Sequence, residues 1–397
     1  MEQKRPIYLD HHATTPVDSR VLEAMLPYFT EKFGNPASKT HLYGNEAFAA
    51  VEESRAVLAK AINAKAQEIV YTSGATEAIN LAIKGVASAS KDRGRHFITL
   101  ATEHKAMLDC FEWLTRNGFE TTILPVDSEG MLDTAKLRAA IRPETILVSV
   151  MAANNEIGVL QPLEEIGSIC REAGAYFMTD ATQALGKIPV DVQKLKIDLL
   201  AASAHKIYGP KGIGTLYVRR SNPRVGINPI IDGGGHERGL RSGTLATQNI
   251  VGFAKAVEIA GKELKTEQER IGRLRDRLEA TLLSGIPQAK VNGHPTKRLA
   301  ANLNIALPGV ESEALMIALK DTIAVSSGSA CTTASVLPSH VLSAIGCSSE
   351  IVYSSLRISL GRFTREDDVQ VAAEAIIQHV QRIRAFQELP AYSAIGK

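Results

Sequence analysis

Cysteine is scarce in this chain of 397 residues, which contains only Cys110, Cys170, Cys331 and Cys347. No two of them form a CxxC pair, and so few thiols make neither a disulfide framework nor a structural zinc site. This scarcity favours a reducing compartment. We therefore predict a cytoplasmic protein without a bound metal.

A large charge imbalance and long apolar runs are also missing. The chain has 45 Lys and Arg residues against 43 Asp and Glu residues, so its net charge is +2 and no nucleic-acid or anionic-membrane partner is indicated. Lys, Glu or Gly interrupts every apolar stretch well before the roughly 18 residues that cross a bilayer. The first residues, MEQKRPIYLDHHATTP, lack the unbroken apolar run of a signal peptide, so we expect neither a membrane span nor export.

Short β-rich runs alternate with segments of helical periodicity. Apolar residues recur at helical spacing in 45–62 and in 251–283, where the pattern is interrupted near Gly261. The strand candidates end at polar or glycine turns and span residues 68–72, 96–101, 121–125, 145–151, 175–179, 199–202 and 214–218. This alternation is typical of βαβ units and predicts an α/β fold with a largely parallel sheet that is buried on both faces.

The pattern changes after about residue 252. Two later strand candidates, 300–306 and 352–359, and a final helix over 365–384 predict a smaller α+β domain. A prior of about 150 residues per domain allows two to three domains. We place the large domain at residues 16–260 and the small one at residues 1–15 and 261–397.

Polar residues directly follow four of the strand candidates, where open parallel sheets bind ligands. At the first, Ser73, Gly74, Ala75 and Thr76 precede a helix. The free amides of that helix and the Thr76 hydroxyl are suited to a phosphate, although an ordinary helix cap explains the same residues.

The other three places also have a chemical and a structural interpretation. The structural interpretation takes His104 as an ordinary residue at a helix start and Asp180 as a helix cap. It takes the lysine as a surface residue beside a glycine turn. Lys206, however, leaves an apolar strand, and desolvation would make its amine a nucleophile toward carbonyls. The residues at these three places are Glu103 and His104, Asp180 and Gln183, and Ser203, His205 and Lys206.

One cofactor accounts for all four places together. A pyridoxal phosphate enzyme needs a lysine to hold the cofactor, an acid beside its ring nitrogen, a helix N-terminus for its phosphate and an aromatic ring against its face. Lys206, Asp180, Thr76 and His104 supply these groups in order. We therefore predict pyridoxal phosphate as the cofactor.

The sequence resembles the cysteine desulfurase family, and most closely its housekeeping branch, which supplies sulfur for iron–sulfur clusters. These are class V aminotransferase-like enzymes, so the resemblance implies the fold type I of pyridoxal phosphate-dependent transferases, with a mixed, mostly parallel seven-stranded sheet between helices in the large domain. The matching blocks run in order from Tyr8 to Thr364 and are YLDHHATTP, FGNPAS, TSGATEAINLAIKG, TEHKA, NNEIGVLQP, DATQALGK, SAHKIYGPKGIG, GGGHERGLRSGT, SSGSACT and LRISLGRFT.

The resemblance implies a role at each matching position. Lys206 would carry the cofactor, Asp180 would pair with its ring nitrogen, and His104 would stack on the ring and help move protons. The remaining cofactor contacts implied by the resemblance are Asn155 and Gln183 at the ring oxygen and Ala75, Thr76, Ser203 and His205 at the phosphate.

Two further residues bear on the partners. Thr244 would reach the phosphate in the neighbouring subunit, so the resemblance implies a homodimer. Arg357, with Asn155, would bind the substrate carboxylate, a task for which the planar guanidinium is suited. We assign His11 and His12 no role beyond lining the mouth of the site, because spacing suggests no third metal ligand.

Cys331 indicates the type of reaction. It lies in a run of small residues, SSGSACTT, whereas Cys110 and Cys170 lie among apolar helical neighbours. In the family, this loop cysteine attacks the substrate sulfur. The resemblance thus implies that L-cysteine becomes L-alanine and that Cys331 carries a persulfide to acceptor proteins such as an iron–sulfur scaffold.

Other functions fit parts of the same pattern. A selenocysteine lyase or another β-eliminating enzyme could share the fold, and a sulfur-transfer scaffold could keep the fold without the chemistry. The stretch after Arg384, AFQELPAYSAIGK, is shorter than the tail that helps dock the scaffold in the housekeeping branch. The resemblance therefore supports catalysis more directly than it supports docking to a scaffold.

Overall fold

The computed structural model describes residues 5–90, 92–327 and 338–387. Its strands are β1 (Ile7–Tyr8), β2 (Ile69–Thr72), β3 (His96–Leu100), β4 (Glu120–Leu124), β5 (Thr145–Ser149), β6 (Tyr176–Asp180), β7 (Leu199–Ser203), β8 (Gly214–Val218), β9 (Lys290–Val291), β10 (Asn302–Ala306), β11 (Ile323–Ala324) and β12 (Ser355–Ser359). Its α-helices are α1 (Ser19–Met25), α2 (Pro27–Thr30), α3 (Leu42–Ala61), α4 (Ala75–Ala89), α5 (Lys105–Arg116), α6 (Thr134–Ala140), α7 (Leu163–Ala173), α8 (Thr247–Gly285), α9 (Ser312–Leu319), α10 (His340–Ala344), α11 (Ser349–Tyr353) and α12 (Glu366–Gln387).

Seven strands form the central sheet in the order β2-β8-β7-β6-β5-β3-β4. Neighbouring strands from β7 to β4 are parallel, whereas β8 runs antiparallel to both β2 and β7. Each of the seven strands predicted before residue 250 is present. The predicted mixed, mostly parallel seven-stranded sheet is confirmed.

Both faces of this sheet are buried. Adjacent residues of one strand point to opposite faces, so Ile98 packs with Phe253 of α8 in one apolar cluster and Phe97 packs with Phe111 of α5 in another. Phe97 and Phe111 meet edge to face, with their ring centroids 6.4 Å apart. Because helices cover both faces, the carboxyl edge of the parallel strands is left to hold a ligand.

A smaller set of strands forms a separate apolar core. β12, β10 and β9 make an antiparallel sheet, and β1 pairs in parallel with β11. Their side chains pack with those of α9, α12 and the second half of α8, for example Leu303 of β10 with Leu278 and Val380. The first strand of the chain, β1, thus packs in the smaller core, which is built mainly from the last part of the chain.

The predicted strand over 352–359 is wrong at its start. Residue 352 lies in α11, and β12 begins only at Ser355. The Ser348 hydroxyl caps α11 by accepting a hydrogen bond from the amide of Ile351. This cap nucleates a short helical turn in a segment whose apolar residues also fit a strand.

The predicted interruption near Gly261 is also wrong. α8 continues through this glycine, whose added Cβ would meet no atom within 4 Å, so the residue weakens the helix only by its propensity. Phe253, in the first half of α8, packs against the central sheet, and Leu278, in the second half, packs in the smaller core. Within the described residues, no helix is long and apolar enough to cross a membrane.

Candidate active site

A cavity of about 430 Å³ lies at the carboxyl edge of the central sheet. Turns that follow β2, β3, β6 and β7 line it, together with residues brought from the smaller sheet. Of the twelve residues that the sequence singled out, ten line this cavity: Ala75, Thr76, His104, Asn155, Asp180, Gln183, Ser203, His205, Lys206 and Arg357. Thr244 is not among its lining residues, and Cys331 lies outside the residues that the structure describes.

The N-terminus of α4 forms one wall of the cavity. Among the described residues no side chain caps this helix, because its N-cap is Gly74, so the alternative of an ordinary side-chain cap is not observed. A Cβ added at Gly74 would meet only the Ser203 hydroxyl, at 3.9 Å. The first amides of α4 and the hydroxyls of Thr76 and Ser203 therefore offer donors to an anion in the cavity.

Lys206 ends the 3-10 turn Ala204–Lys206 that directly follows β7. Its Nζ donates hydrogen bonds to the carbonyl oxygens of His12, at 2.7 Å, and Ala13, at 2.6 Å. The neighbouring His205 bonds through Nδ1 to the hydroxyl of Thr14, at 3.0 Å. Burial and the charge of Lys206 lower the pKa of His205 to about 4, so this ring is neutral near pH 7.

Asp180 and His104 enter the same cavity from neighbouring strands. Asp180 is the last residue of β6, is buried, and accepts a hydrogen bond from the amide of Thr182 at 2.9 Å. His104 is the N-cap of α5, and its Nδ1 accepts the amide of Ala106 at 3.1 Å. That bond places the proton of a neutral His104 ring on Nε2.

Arg357 reaches the cavity from β12, in the smaller sheet. Its guanidinium donates to Asp10 Oδ1 at 2.8 Å and to the carbonyl of Asn155 at 3.1 Å. Arg357 is 2% exposed. The backbone of Arg357 also pairs with that of Ser326, at the end of the described residues before Cys331.

The residues present fit pyridoxal phosphate. The cavity holds a lysine, a buried acid, an imidazole and an uncapped helix N-terminus, which are the four groups that this cofactor requires. Two polar atoms at the wall, Asn155 Oδ1 and Thr182 Oγ1, are buried and lack a hydrogen-bond partner among the described residues. A ligand with polar groups on its ring would satisfy such atoms.

Two sets of contacts in this site were not predicted from the sequence, although His12 was expected to line its mouth and does line the cavity. Asp10 pairs with Arg357, and the main chain of His12 accepts hydrogen bonds from both Lys206 and Gln183. These residues belong to the block YLDHHATTP, whose match to the family was the available signal. Among the described residues, no group of three or more His, Cys, Asp or Glu side chains is arranged to hold a metal ion.

Residues 7–371 match the family Aminotransferase class-V, and the chain belongs to this family. It is 54% identical over 386 residues to the cysteine desulfurase IscS of Anaeromyxobacter sp. (strain Fw109-5), covering 97% of this chain and 95% of the relative. It is 54% identical over 389 residues to the cysteine desulfurase IscS of Neisseria meningitidis serogroup C / serotype 2a (strain ATCC 700532 / DSM 15464 / FAM18), covering 98% and 96%. Within its family the chain thus groups with the cysteine desulfurases.

Solved structures agree with this assignment. A NifS-like protein aligns with a TM-score of 0.88 and 38% sequence identity, covering 96% of this chain and 100% of that one. A NifS-like protein from Rickettsia africae ESF-5 aligns with a TM-score of 0.84 and 32% identity, covering 95% and 100%. The family, the type I fold and pyridoxal phosphate as the cofactor, all expected from the sequence, are confirmed.

Proposed function

We propose that this chain is a cysteine desulfurase that converts L-cysteine to L-alanine and leaves the sulfur as a persulfide on Cys331. The observation that carries the proposal is a single cavity that brings Lys206, Asp180 and His104 together with Arg357. The first three meet the needs of the cofactor, and the fourth offers a fixed cation to an amino-acid carboxylate. The similarity to cysteine desulfurases supports the choice of substrate.

Lys206 would hold the cofactor covalently, and Asp180 would bond its ring nitrogen. When bound, pyridoxal phosphate withdraws electrons from the α-carbon of the substrate and so weakens the bonds next to it. The free Lys206 amine would take the α-proton of the substrate and would return a proton to the α-carbon after the sulfur has left. The Asp180 carboxylate is held by the amide of Thr182, which keeps it directed into the cavity.

The phosphate would lie at the N-terminus of α4. Ala75 and Thr76 contribute that end of the helix, and Ser203 and His205 lie across the cavity on the turn that leads to Lys206. The amides of Asn155 and Gln183 would bond the ring oxygen, and His104 would pack on the ring face. These contacts orient the cofactor relative to Lys206. Asn155, whose carbonyl oxygen accepts a hydrogen bond from Arg357, would also help that arginine bind the substrate carboxylate.

The sulfur step needs one thiolate. The Cys331 thiolate would attack the substrate sulfur, an S–S bond would form, and the S–Cβ bond would break with its electron pair moving to the β-carbon. Protonation of that carbon gives L-alanine, and the persulfide then passes to an acceptor thiol. Ser326 pairs with Arg357, which lines the cavity, and His340 bonds the carbonyl oxygen of Glu103 at 2.9 Å.

A second copy of the chain completes the proposed enzyme. The surface of α1 to α3 exposes apolar side chains, and the rings of Phe33 and Tyr43 contact each other there with centroids 5.4 Å apart. Such a patch marks an interaction surface, and its exposed residues are Leu22, Leu26, Phe29, Phe33, Leu42, Tyr43 and Phe48. A homodimer would cover it and would let Thr244 serve the partner's cofactor. Sedimentation at twice the chain mass of 42.7 kDa is the expected result.

The sulfur acceptors and the cellular location belong to the same proposal. The names of the relatives support a role in iron–sulfur cluster assembly, in which an acceptor protein such as a scaffold takes the persulfide. Two of the four cysteines, Cys110 and Cys170, are buried as free thiols, which suits a reducing cytoplasm.

A product assay tests the function. Incubating the purified, cofactor-loaded chain with L-cysteine and a reductant should yield alanine and sulfide in equal amounts. Without the reductant, mass spectrometry should find one additional sulfur atom on Cys331. Pyruvate and ammonia in place of alanine would show β-elimination instead, and an absence of turnover with bound cofactor would leave a scaffold as the remaining role.

Replacing Arg357 with lysine should weaken the binding of substrate. Lysine keeps the charge but cannot make the planar two-point contact with a carboxylate. Because hydrogen bonds to charged groups contribute about 1.5–3 kcal/mol, we expect KM for L-cysteine to rise about tenfold or more. The matched control is Arg277→Lys, an exposed position on α8, which should leave KM unchanged. If KM in Arg357→Lys were as low as in Arg277→Lys, Arg357 would not be a substrate-binding residue.

A further inference from the structure

Glu103 is a buried acid beside the active site to which no function is assigned above. It lies in the turn between β3 and α5, directly before His104, and it is fully buried. It is not among the residues that line the active-site cavity. Any effect of Glu103 on the bound cofactor must therefore pass through the residues that it holds.

The carboxyl group of Glu103 joins two walls of the cavity. Its Oε1 accepts a hydrogen bond from the amide of Met151, just after β5, at 2.6 Å. The turn after β3 presents His104 to the cavity, and the turn after β5 presents Met151 and Asn155. Glu103 thus fixes the position of one turn relative to the other.

The second oxygen of this carboxyl group has no partner. Oε2 is buried and makes no hydrogen bond to any of the described residues. The titratable groups around Glu103 are His104, Asp180 on β6, and His340, whose Nε2 donates to the Glu103 carbonyl oxygen at 2.9 Å. No lysine or arginine of the described residues forms an ion pair with Glu103, so the charge that acts on it is that of a second acid.

These surroundings disfavour the ionised form of Glu103. Burial raises the pKa of Glu103 well above its usual range, the hydrogen bond from Met151 opposes this shift, and the charge of Asp180 adds to it. A buried carboxylate without water or a paired cation is unfavourable, whereas a protonated acid is neutral and keeps one oxygen as an acceptor. In the acid form, Oε1 accepts the Met151 amide and Oε2 carries the proton.

We propose that Glu103 is a positioning residue that works as a neutral acid, holding the turn at Met151 with Oε1 and leaving Asp180 as the anion that faces the cofactor. Two ionised carboxyl groups close together would each favour protonation of the other. Asp180 has to keep its negative charge in order to pair with a protonated ring nitrogen. The inference rests on the proposed function only in placing Asp180 at that nitrogen.

Infrared spectroscopy of the cofactor-loaded full chain tests the protonation of Glu103 directly. At about pH 8, where an exposed glutamate is ionised, the difference spectrum between the native chain and Glu103→Gln should contain the C=O band of one protonated carboxylic acid. The matched control is Glu112→Gln, at an exposed position on α5, whose difference spectrum should contain only the bands of an ionised carboxylate. Ionised bands without the acid band for Glu103→Gln would overturn the inference.

Cofactor binding tests the hold on Met151. When pyridoxal phosphate is titrated into the cofactor-free full chain, Glu103→Leu should bind it about tenfold more weakly, because a buried amide loses its acceptor. Asn154 Nδ2 still donates to the carbonyl oxygen of Thr102 at 2.8 Å and so joins the same two turns, which makes the loss partial. Glu103→Gln should bind the cofactor as the native chain does, since its side-chain carbonyl can accept the same amide.

Two results of this titration would contradict the proposed role of Glu103. Native affinity in Glu103→Leu would show that the hydrogen bond to Met151 does not position the site, and equal weakening in Glu103→Gln would show that a neutral acceptor does not suffice. If Glu103→Leu does not fold, the infrared comparison, which needs only Glu103→Gln, still decides. Neither measurement involves turnover, so a chain that fails the product assay but gives both expected results loses only the proposed function.

Discussion

Replacing Cys331 with serine should abolish persulfide formation while leaving the cofactor bound. A serine hydroxyl ionises far above neutral pH, whereas a free thiol has a pKa near 8.5, so only the cysteine supplies a nucleophile for the substrate sulfur. We expect the rate of sulfide release from L-cysteine to fall by about a thousandfold or more. The visible absorbance of the cofactor should stay native, because its contacts involve other residues.

The matched control for this experiment is Cys347→Ser. Cys347 is partly exposed and contacts Asn292, and burial raises the pKa of its thiol. The other two cysteines are poorer nucleophiles still, since burial raises the pKa of Cys110 to about 11 and that of Cys170 further. Each described thiol is thus less ionised at neutral pH than a free cysteine. Sulfide release at the native rate in Cys331→Ser would show that one of the other three cysteines attacks the substrate sulfur.

The residues at the strand ends were predictable because the alternation of the sequence locates those ends. Each of Thr76, His104, Asp180 and Lys206 lies within five residues of the end of a strand in the parallel sheet or at its edge, so finding the strands located the site. Local sequence alone could not rank a helix cap against a phosphate site at Thr76. The uncapped N-terminus of α4 distinguishes them.

Contacts between distant parts of the chain were beyond prediction from periodicity. The carbonyl of His12 and the amine of Lys206 meet across a separation of 194 residues. The ion pair of Asp10 and Arg357 likewise joins the segment that follows β1 to β12. These contacts arise from how the two cores pack, and no turn or spacing rule encodes that packing.

The division into two domains stays a prediction. The boundary between residues 260 and 261 falls inside α8, which carries Phe253 into one core and Leu278 into the other. A helix that is continuous across the boundary couples the two parts more stiffly than a loop would. Any movement of Arg357 toward the cofactor side would then require bending of α8 or rotation about it.

Replacing Lys206 with alanine or arginine should remove both the covalently held cofactor and the activity. Alanine lacks the amine, and arginine stays protonated at any pH the protein tolerates, so neither can attack a carbonyl. We expect turnover of L-cysteine to fall by about four orders of magnitude in both variants, because the same amine also moves the α-proton. Lys206→Arg keeps a cation that can donate to the carbonyls of His12 and Ala13, so it should melt near the native temperature.

Borohydride reduction of the native, cofactor-loaded chain gives the sharpest readout for this lysine. Reduction makes the link between lysine and cofactor permanent, and mass spectrometry of the peptides should then find the added mass only on Lys206. Neither variant should carry it. Two other lysines are near enough to serve as internal alternatives, since Lys211 lines the active-site cavity and Lys187 lines a small cavity that adjoins it. Label on Lys211 or Lys187 in the native chain would show that Lys206 is not the lysine that holds the cofactor. Label on either of them only in Lys206→Ala would show that the cavity still binds the cofactor after the Lys206 amine is lost.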